Sequence, residues 1–438
     1  MGYNNLLRKK SRIPSACVNE LRTSVEARKS FVNSCFRGDA EPALDDGLRI
    51  FLDITERRML DHESIAANLI VALGGCQPKS LYLELALQAC TEIVRLIKTA
   101  TAQTTIDDIV KHIYNHFNVP TNSRTTFEVV TRHLVFAVIG WSTMLYTTTF
   151  KVTDIGLSTI VESLSIDGSS QHVAIPATDL SKRPIGTLLR SYRLIPVVCP
   201  PRAKTSQEPS ASLSVPQINF YSLSRLGDVT ITWVNNLADH CEFDRYGRNK
   251  QLKLFRLPSL CAKICLSENV DSLIDRLCKN HICQYDSCWS PEHTAKTYLT
   301  EVLLSYRLLF GQHSLSRGLF SKGERENAKY NGALDPLLDA LCSRRDMDNF
   351  HGMQHLIRER GVYDAHRHFP HLGPRLMELA DYSSSQRPRN LAEVWSDQRD
   401  PERLLTFKAV IIIGVVTIIL SVLQVFVGIL QIAIAIKD

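Results

Sequence analysis

Apolar positions recur with a mainly helical period from about Val18 to Phe150. The run SLYLELALQACTEIVRLIKTA sets Leu83, Leu85, Leu87, Ile93, Val94 and Ile97 behind Ser80 as N-cap. TTIDDIVKHIYNHF repeats the signature, with Thr105 ahead of an acidic first turn. Between Thr147 and Val198 the texture changes to β-branched runs broken by DG and RPIG, which predicts short strands with one helix. PPRAKTSQEPSASLSVPQ, Pro200 to Gln217, reads as a linker. After it DVTITWV alternates as a strand, and HCEFDRYGRNKQLKLFRLPS reads as a hairpin turning at Gly247. Helices return from Leu260, notably in HTAKTYLTEVLLSYRLLFGQ and ALDPLLDALCSRR.

The expected fold is therefore α+β and helix-rich, with short antiparallel strands in the middle and one C-terminal transmembrane helix. Its expected regions are a basic N-terminus (1–17), a helical then mixed α/β region (18–199) and the linker (200–217). A second α+β region (218–380), a polar juxtamembrane segment (381–408) and the span (409–436) follow.

The span rests on Ala409 to Ile436, 28 residues without a charge. Such a helix reaches about 42 Å, against a hydrocarbon core of about 30 Å. Nineteen of those residues are Val, Ile, Leu or Phe. Together they favour insertion by roughly 6–11 kcal/mol, enough to absorb Gln424 and Gln431. Arg399, Arg403 and Lys408 flank its start, which predicts a cytoplasmic body. Only Lys437 and Asp438 follow, so the expected protein is single-pass and tail-anchored. Other apolar runs, such as Leu134 to Tyr146, are too short to span.

Within the span, Gly414, Thr417, Ser421, Gln424, Gly428 and Gln431 follow one another at spacings of 3, 4, 3, 4 and 3. On a helical wheel they share an arc of about 100°. Small residues let helix backbones approach, and amides bond across the contact. The expected partners are thus membrane lipid and, through this stripe, a partner's transmembrane helix or a second copy. The period of 3.5 implies a left-handed crossing near +20°.

Composition adds little. The 438 residues are 44% hydrophobic and 22% charged, with a net charge of +6, part of it in LLRKKSR at Arg8, Lys9, Lys10 and Arg12. No basic leader with an apolar h-region opens the chain, and Leu6 breaks a myristoylation pattern. No N-x-[ST] acceptor occurs among 18 Asn, and the twelve cysteines scatter from Cys17 to Cys342. These features fit reduced thiols in the cytosol.

Candidate chemistry is thin. Cys261, Cys265, Cys278, His281, Cys283, Cys288 and His293 hold loose metal-ligand spacings but no repeated knuckle. Cys261 and Cys265, one turn apart in an apolar pattern, read as core. HRHFPH offers His366, His368 and His371 without a companion carboxylate in sequence. AVIGWSTM resembles a nucleophile elbow around Ser142, but Met144 stands where the second glycine belongs. LGGCQPKS lacks the glycines of a P-loop at Leu73 and Pro78. No basic aromatic stripe points to nucleic acid, and no catalytic, metal or cofactor pattern is complete.

DVTITWVNNLADHCEFDRYGRNKQLKLFRLPSLC, LLSYRLLFGQ, HFPHLGPRLMEL and EVWSDQRDPERLLTFKAV together resemble a group of uncharacterised filamentous-fungal proteins. The resemblance covers roughly residues 215 to 436. It carries a Trp-x-Asp-x-Arg-[Asp/Asn]-Pro segment before a membrane tail, and implies a fungal, membrane-attached protein. Where members carry aromatics this chain has Leu404, Leu405 and Lys408, so its own membrane-interface belt is poorer. The expected function is a membrane-anchored interaction or scaffold module without catalysis. The alternative is a membrane-tethered hydrolase or metal-dependent enzyme whose site is assembled from distant residues.

Overall fold

The computed structural model describes residues 24–36, 44–62, 82–153, 156–164, 170–175, 180–195, 212–267, 272–279, 295–343, 350, 352–397, 399 and 401–437. The basic N-terminus, Ser80, LGGCQPKS, most of the linker, and His281, Cys283, Cys288 and His293 lie outside these residues.

Five helices open the described chain: α1 (Val25–Cys35), α2 (Asp45–Asp61), α3 (Tyr82–Thr99), α4 (Ile106–His116) and α5 (Thr121–Thr143). A meander β1 (Thr148–Thr153), β2 (Gly156–Leu164), β3 (Ser170–Ile175) and helix α6 (Ile185–Ser191) follow. Next come β4 (Ser212–Ser214), α7 (Val215–Ile218), α8 (Phe220–Gly227), β5 (Thr230–Val234), β6 (Phe243–Asp244) and β7 (Gln251–Phe255). The last part holds α9 (Pro258–Leu266), α10 (Leu273–Lys279), α11 (Ala295–Tyr306), α12 (Ser314–Leu319), α13 (Arg325–Asn327), α14 (Pro336–Cys342) and α15 (Met353–Leu356). It closes with β8 (Val362–Asp364), α16 (Ala365–His368), α17 (Gly373–Ser385), α18 (Leu391–Ser396) and α19 (Pro401–Lys437). The fold is α+β and helix-rich.

Local chemistry explains several boundaries. Thr105 and Asp108 form a reciprocal capping box at α4, each side chain accepting the other's backbone N–H at 3.1 Å. Helix α5 stops where Met144 turns left-handed, at φ 52°. The strands pair as β1–β2–β3, β4–β8 and β5–β7–β6. The hairpin across Gly247 is present, with Phe243 opposite Leu252. Among the described residues the strand pairs are antiparallel except β5–β7, where Trp233 lies beside Leu254 in parallel register. The connection after β5 is drawn away to α5, because Leu237 and Ala238 donate their N–H groups to Met144 and Leu145. That leaves β7 free to pair with β5 from the other side.

The linker reading ends too late. Ser212–Ser214 is a strand, its Leu213 buried opposite Tyr363, and Val215–Ile218 is a helix with Pro216 in its first turn. Proline suits that position, since the missing N–H would be unpaired anyway.

One apolar core runs through both halves of the body. Two π-helical turns, Arg307–Gly311 and Phe320–Glu324, flank α12. They bring Phe310 and Phe320, ten positions apart, onto Trp233, with ring centroids 6.4 Å and 6.2 Å from it. At the seam between halves, a Cβ on Gly47 of α2 would lie 2.4 Å from the Ser259 Cβ of α9. Gly47→Ala is therefore expected to lower stability by about 1–3 kcal/mol despite its better helix propensity. The urea midpoint reads this; an unchanged or raised midpoint would refute the packing argument.

Candidate functional site

The densest polar chemistry lies inside the body, where residues 61 to 137 positions apart converge. Arg375 of α17 donates to the Ala238 and His240 carbonyls at 2.7 and 2.6 Å, and to the Glu242 carboxylate at 3.2 Å. Glu301 of α11, 2% exposed, accepts the backbone N–H groups of His371 and Leu372 and the His371 Nδ1–H at 2.6 Å. Burial pushes its carboxyl pKa up, against those donors. Tyr298, one turn earlier, donates its hydroxyl to the Leu237 carbonyl at 2.8 Å. Together these bonds lock α11, α17 and the loop after β5.

One pair imitates a catalytic dyad. The His240 Nε2 lies 2.7 Å from the Ser305 hydroxyl, and both residues are fully buried. The other ring nitrogen, Nδ1, accepts the Phe255 backbone N–H at 3.1 Å. Burial holds this imidazole neutral, with its pKa pushed down to about 3. A neutral ring that accepts at Nδ1 carries its proton on Nε2. It therefore donates to Ser305, whose own proton goes to the Val302 carbonyl at 2.7 Å. A general base needs the opposite tautomer. The geometry performs a structural task, tying β7 to α11.

A second polar knot sits between α2, α5 and the end of β5. Arg58, 7% exposed, donates to Thr147 at 2.8 Å and reaches Met144 Sδ at 3.2 Å. Desolvation lowers its pKa to about 10. His62 stacks on Trp141 and donates to the Thr148 carbonyl at 3.1 Å, its pKa lowered by burial to about 4.

The remaining candidates disperse. Cys261 and Cys265 face the core along α9, and burial pushes the Cys265 thiol up to about 12. Cys278 lies on α10. His371 is the buried partner of Glu301, His368 accepts the Asp364 N–H, and His366 is exposed. Among the described residues no three His, Cys, Asp or Glu side chains converge as metal ligands. Ser142 lies inside α5 and donates to the Val138 carbonyl at 2.6 Å, so no strand-to-helix elbow forms there.

The span is the other feature. Leu404–Ile432 is long and apolar enough to cross a membrane, and none of it is buried in the body. Gly414, Thr417, Ser421, Gln424, Gly428 and Gln431 all lie on α19, a continuous helix, and so on one face. Thr417 and Ser421 satisfy their hydroxyls on the carbonyls four residues back, at 2.8 and 2.9 Å. A Cβ at Gly414 or Gly428 would meet open space.

Sequence reasoning missed His240, Ser305, Arg375 and Arg58, which no local spacing joins. Only Glu301 left a trace, as a lone carboxylate in the apolar run YLTEVLLSY. No protein-family model, curated protein or solved structure matches the chain. The structure defines a helix-rich α+β body with, among the described residues, one apolar helix long enough to span a membrane.

Proposed function

We propose that the chain is a single-pass membrane protein whose cytoplasmic body acts as an interaction or scaffold module. The observation that carries this reading is the 29-residue apolar helix Leu404–Ile432, wholly outside the body's core. Leaving such a surface in water would be prohibitive at about 25 cal/mol per Å². The body-side flank holds Arg399, Arg403 and Lys408, which favours a cytoplasmic body. The buried free thiols Cys35, Cys90, Cys241, Cys261, Cys265 and Cys342 fit a reducing compartment. Among the described residues, Arg375, Glu301 and the His240–Ser305 pair bond to the body's own groups, which favours scaffold over enzyme. Membrane lipid is one partner, and a transmembrane helix seated on the Gly414–Gln431 stripe is the other.

Glycosylation mapping tests the topology. An acceptor appended after Asp438 should be modified when the chain is targeted to the endoplasmic reticulum, and one inserted near Ser210 should not. Modification at Ser210 would overturn the orientation, and complete release by alkaline carbonate would overturn the span.

A further inference from the structure

The polar stretch before the span is a folded bracket. Helix α18 starts on Asn390, whose Oδ1 accepts the Glu393 N–H at 2.8 Å. Arg389 pairs with Asp228, at the end of α8, at 2.8 Å. Beyond α18, Arg399 grips Asp397 with two bonds of 2.9 and 2.8 Å and donates to the Ser383 and Gln386 carbonyls at the end of α17. Its side chain is 11% exposed. The Trp-x-Asp-x-Arg segment thus caps a body helix and fixes where α18 lies against the first turns of α19.

There Trp395 meets α19 edge-on at Phe407, with ring centroids 6.4 Å apart. The Lys408 ammonium lies 5.4 Å from the centre of the same indole. Trp395 is nevertheless 46% exposed. Lys408 is the last charge before the uncharged run that begins at Ala409. An ammonium at that position stays at headgroup level, because carrying it to the bilayer centre costs about 2.5–3.5 kcal/mol or more. The indole beside it is at the same level, where tryptophan partitions best. We infer that Trp395, Phe407 and Lys408 form a docking element for the lipid headgroup layer. The element supplies, from α18, the aromatic belt that α19 lacks at Leu404 and Leu405. It seats the body against the bilayer at one height.

This inference rests on the membrane reading, and the test separates the two. The full-length chain is reconstituted into phosphatidylcholine/phosphatidylserine liposomes, with and without acyl chains brominated near the carbonyl or near the chain end. Tryptophan emission of Trp395→Phe is subtracted from wild type, and Trp395→Tyr provides a second difference. The Trp395 signal should fall about twofold or more with bromine near the carbonyl, fall less with bromine near the chain end, and resist aqueous iodide. A Trp395 signal open to iodide and blind to bromine, in protein that still floats with the liposomes, overturns the docking element alone. Protein that does not float overturns the membrane reading with it.

Discussion

Asp335→Ala is expected to cost about 3–5 kcal/mol, a large share of the roughly 5–15 kcal/mol that holds an ordinary domain together. Two helices begin at this carboxylate. Its Oδ1 accepts the Leu337 and Leu338 N–H groups of α14 at 2.9 and 3.1 Å and the Ser259 hydroxyl at 2.7 Å. Its Oδ2 accepts the Ser259 N–H, in the first turn of α9, at 3.1 Å. An N-cap is worth about 1 kcal/mol, and each buried donor left unpaired costs about 1–3 kcal/mol. Burial pushes Asp335 up to about 6 from 3.8, although those four donors favour the anion. A carboxyl raised on folding contributes stability in acid that is lost as pH climbs through the folded value. The alanine variant lacks that gain, so its deficit should be larger at pH 5 than at pH 7.5, by about 1–2 kcal/mol. Urea midpoints at the two pH values read both claims. A deficit under about 1 kcal/mol would remove Asp335 as the joint of the two helices. One that shrinks in acid would show the anion to be the favoured form.

Asp335 also marks the limit of what the linear chain discloses. Its motif, Asp-Pro before an apolar run, announces the start of α14 by a local rule of capping. That it also caps α9, 76 positions away, depends on how the helices cross. The same division runs through the molecule. Thr105 with Asp108, the β6–β7 hairpin and the apolar α19 were legible because a period or a turn fixes each within a few residues. The parallel β5–β7 pair was not, since it depends on the loop between them being drawn to Met144 and Leu145. Nor were His240 and Ser305, 65 positions apart, or the wrong tautomer that disarms them. Residues 381–408 read only as a polar juxtamembrane segment because composition registers their charge and not its partners. Arg399 spends that charge on Asp397 and two helix-end carbonyls.

The last expectation concerns the amides in the span. Gln424→Leu with Gln431→Leu should leave the chain in the membrane while weakening helix association by a factor of about 10 to 10³. That range follows from about 0.6–2 kcal/mol for each interhelical amide contact, two contacts being lost together. Insertion itself should improve, since leucine is favoured at the bilayer centre by about 0.5 kcal/mol where an amide is not. The two effects have opposite signs, so poor membrane delivery cannot imitate the loss. Val422→Leu with Ile429→Leu is the matched control, because both positions lie on the far side of the wheel from the stripe. A membrane two-hybrid reporter carrying the isolated segment reads self-association. Proximity labelling around the full chain reads a partner helix. Loss of neighbours in the glutamine variant but not in the control places the contact on the Gly414–Gln431 face. Equal reporter signals eliminate the homotypic contact, and an unchanged labelling profile as well eliminates the stripe as an association surface. In that case the span is an anchor alone, and partners are sought on the body.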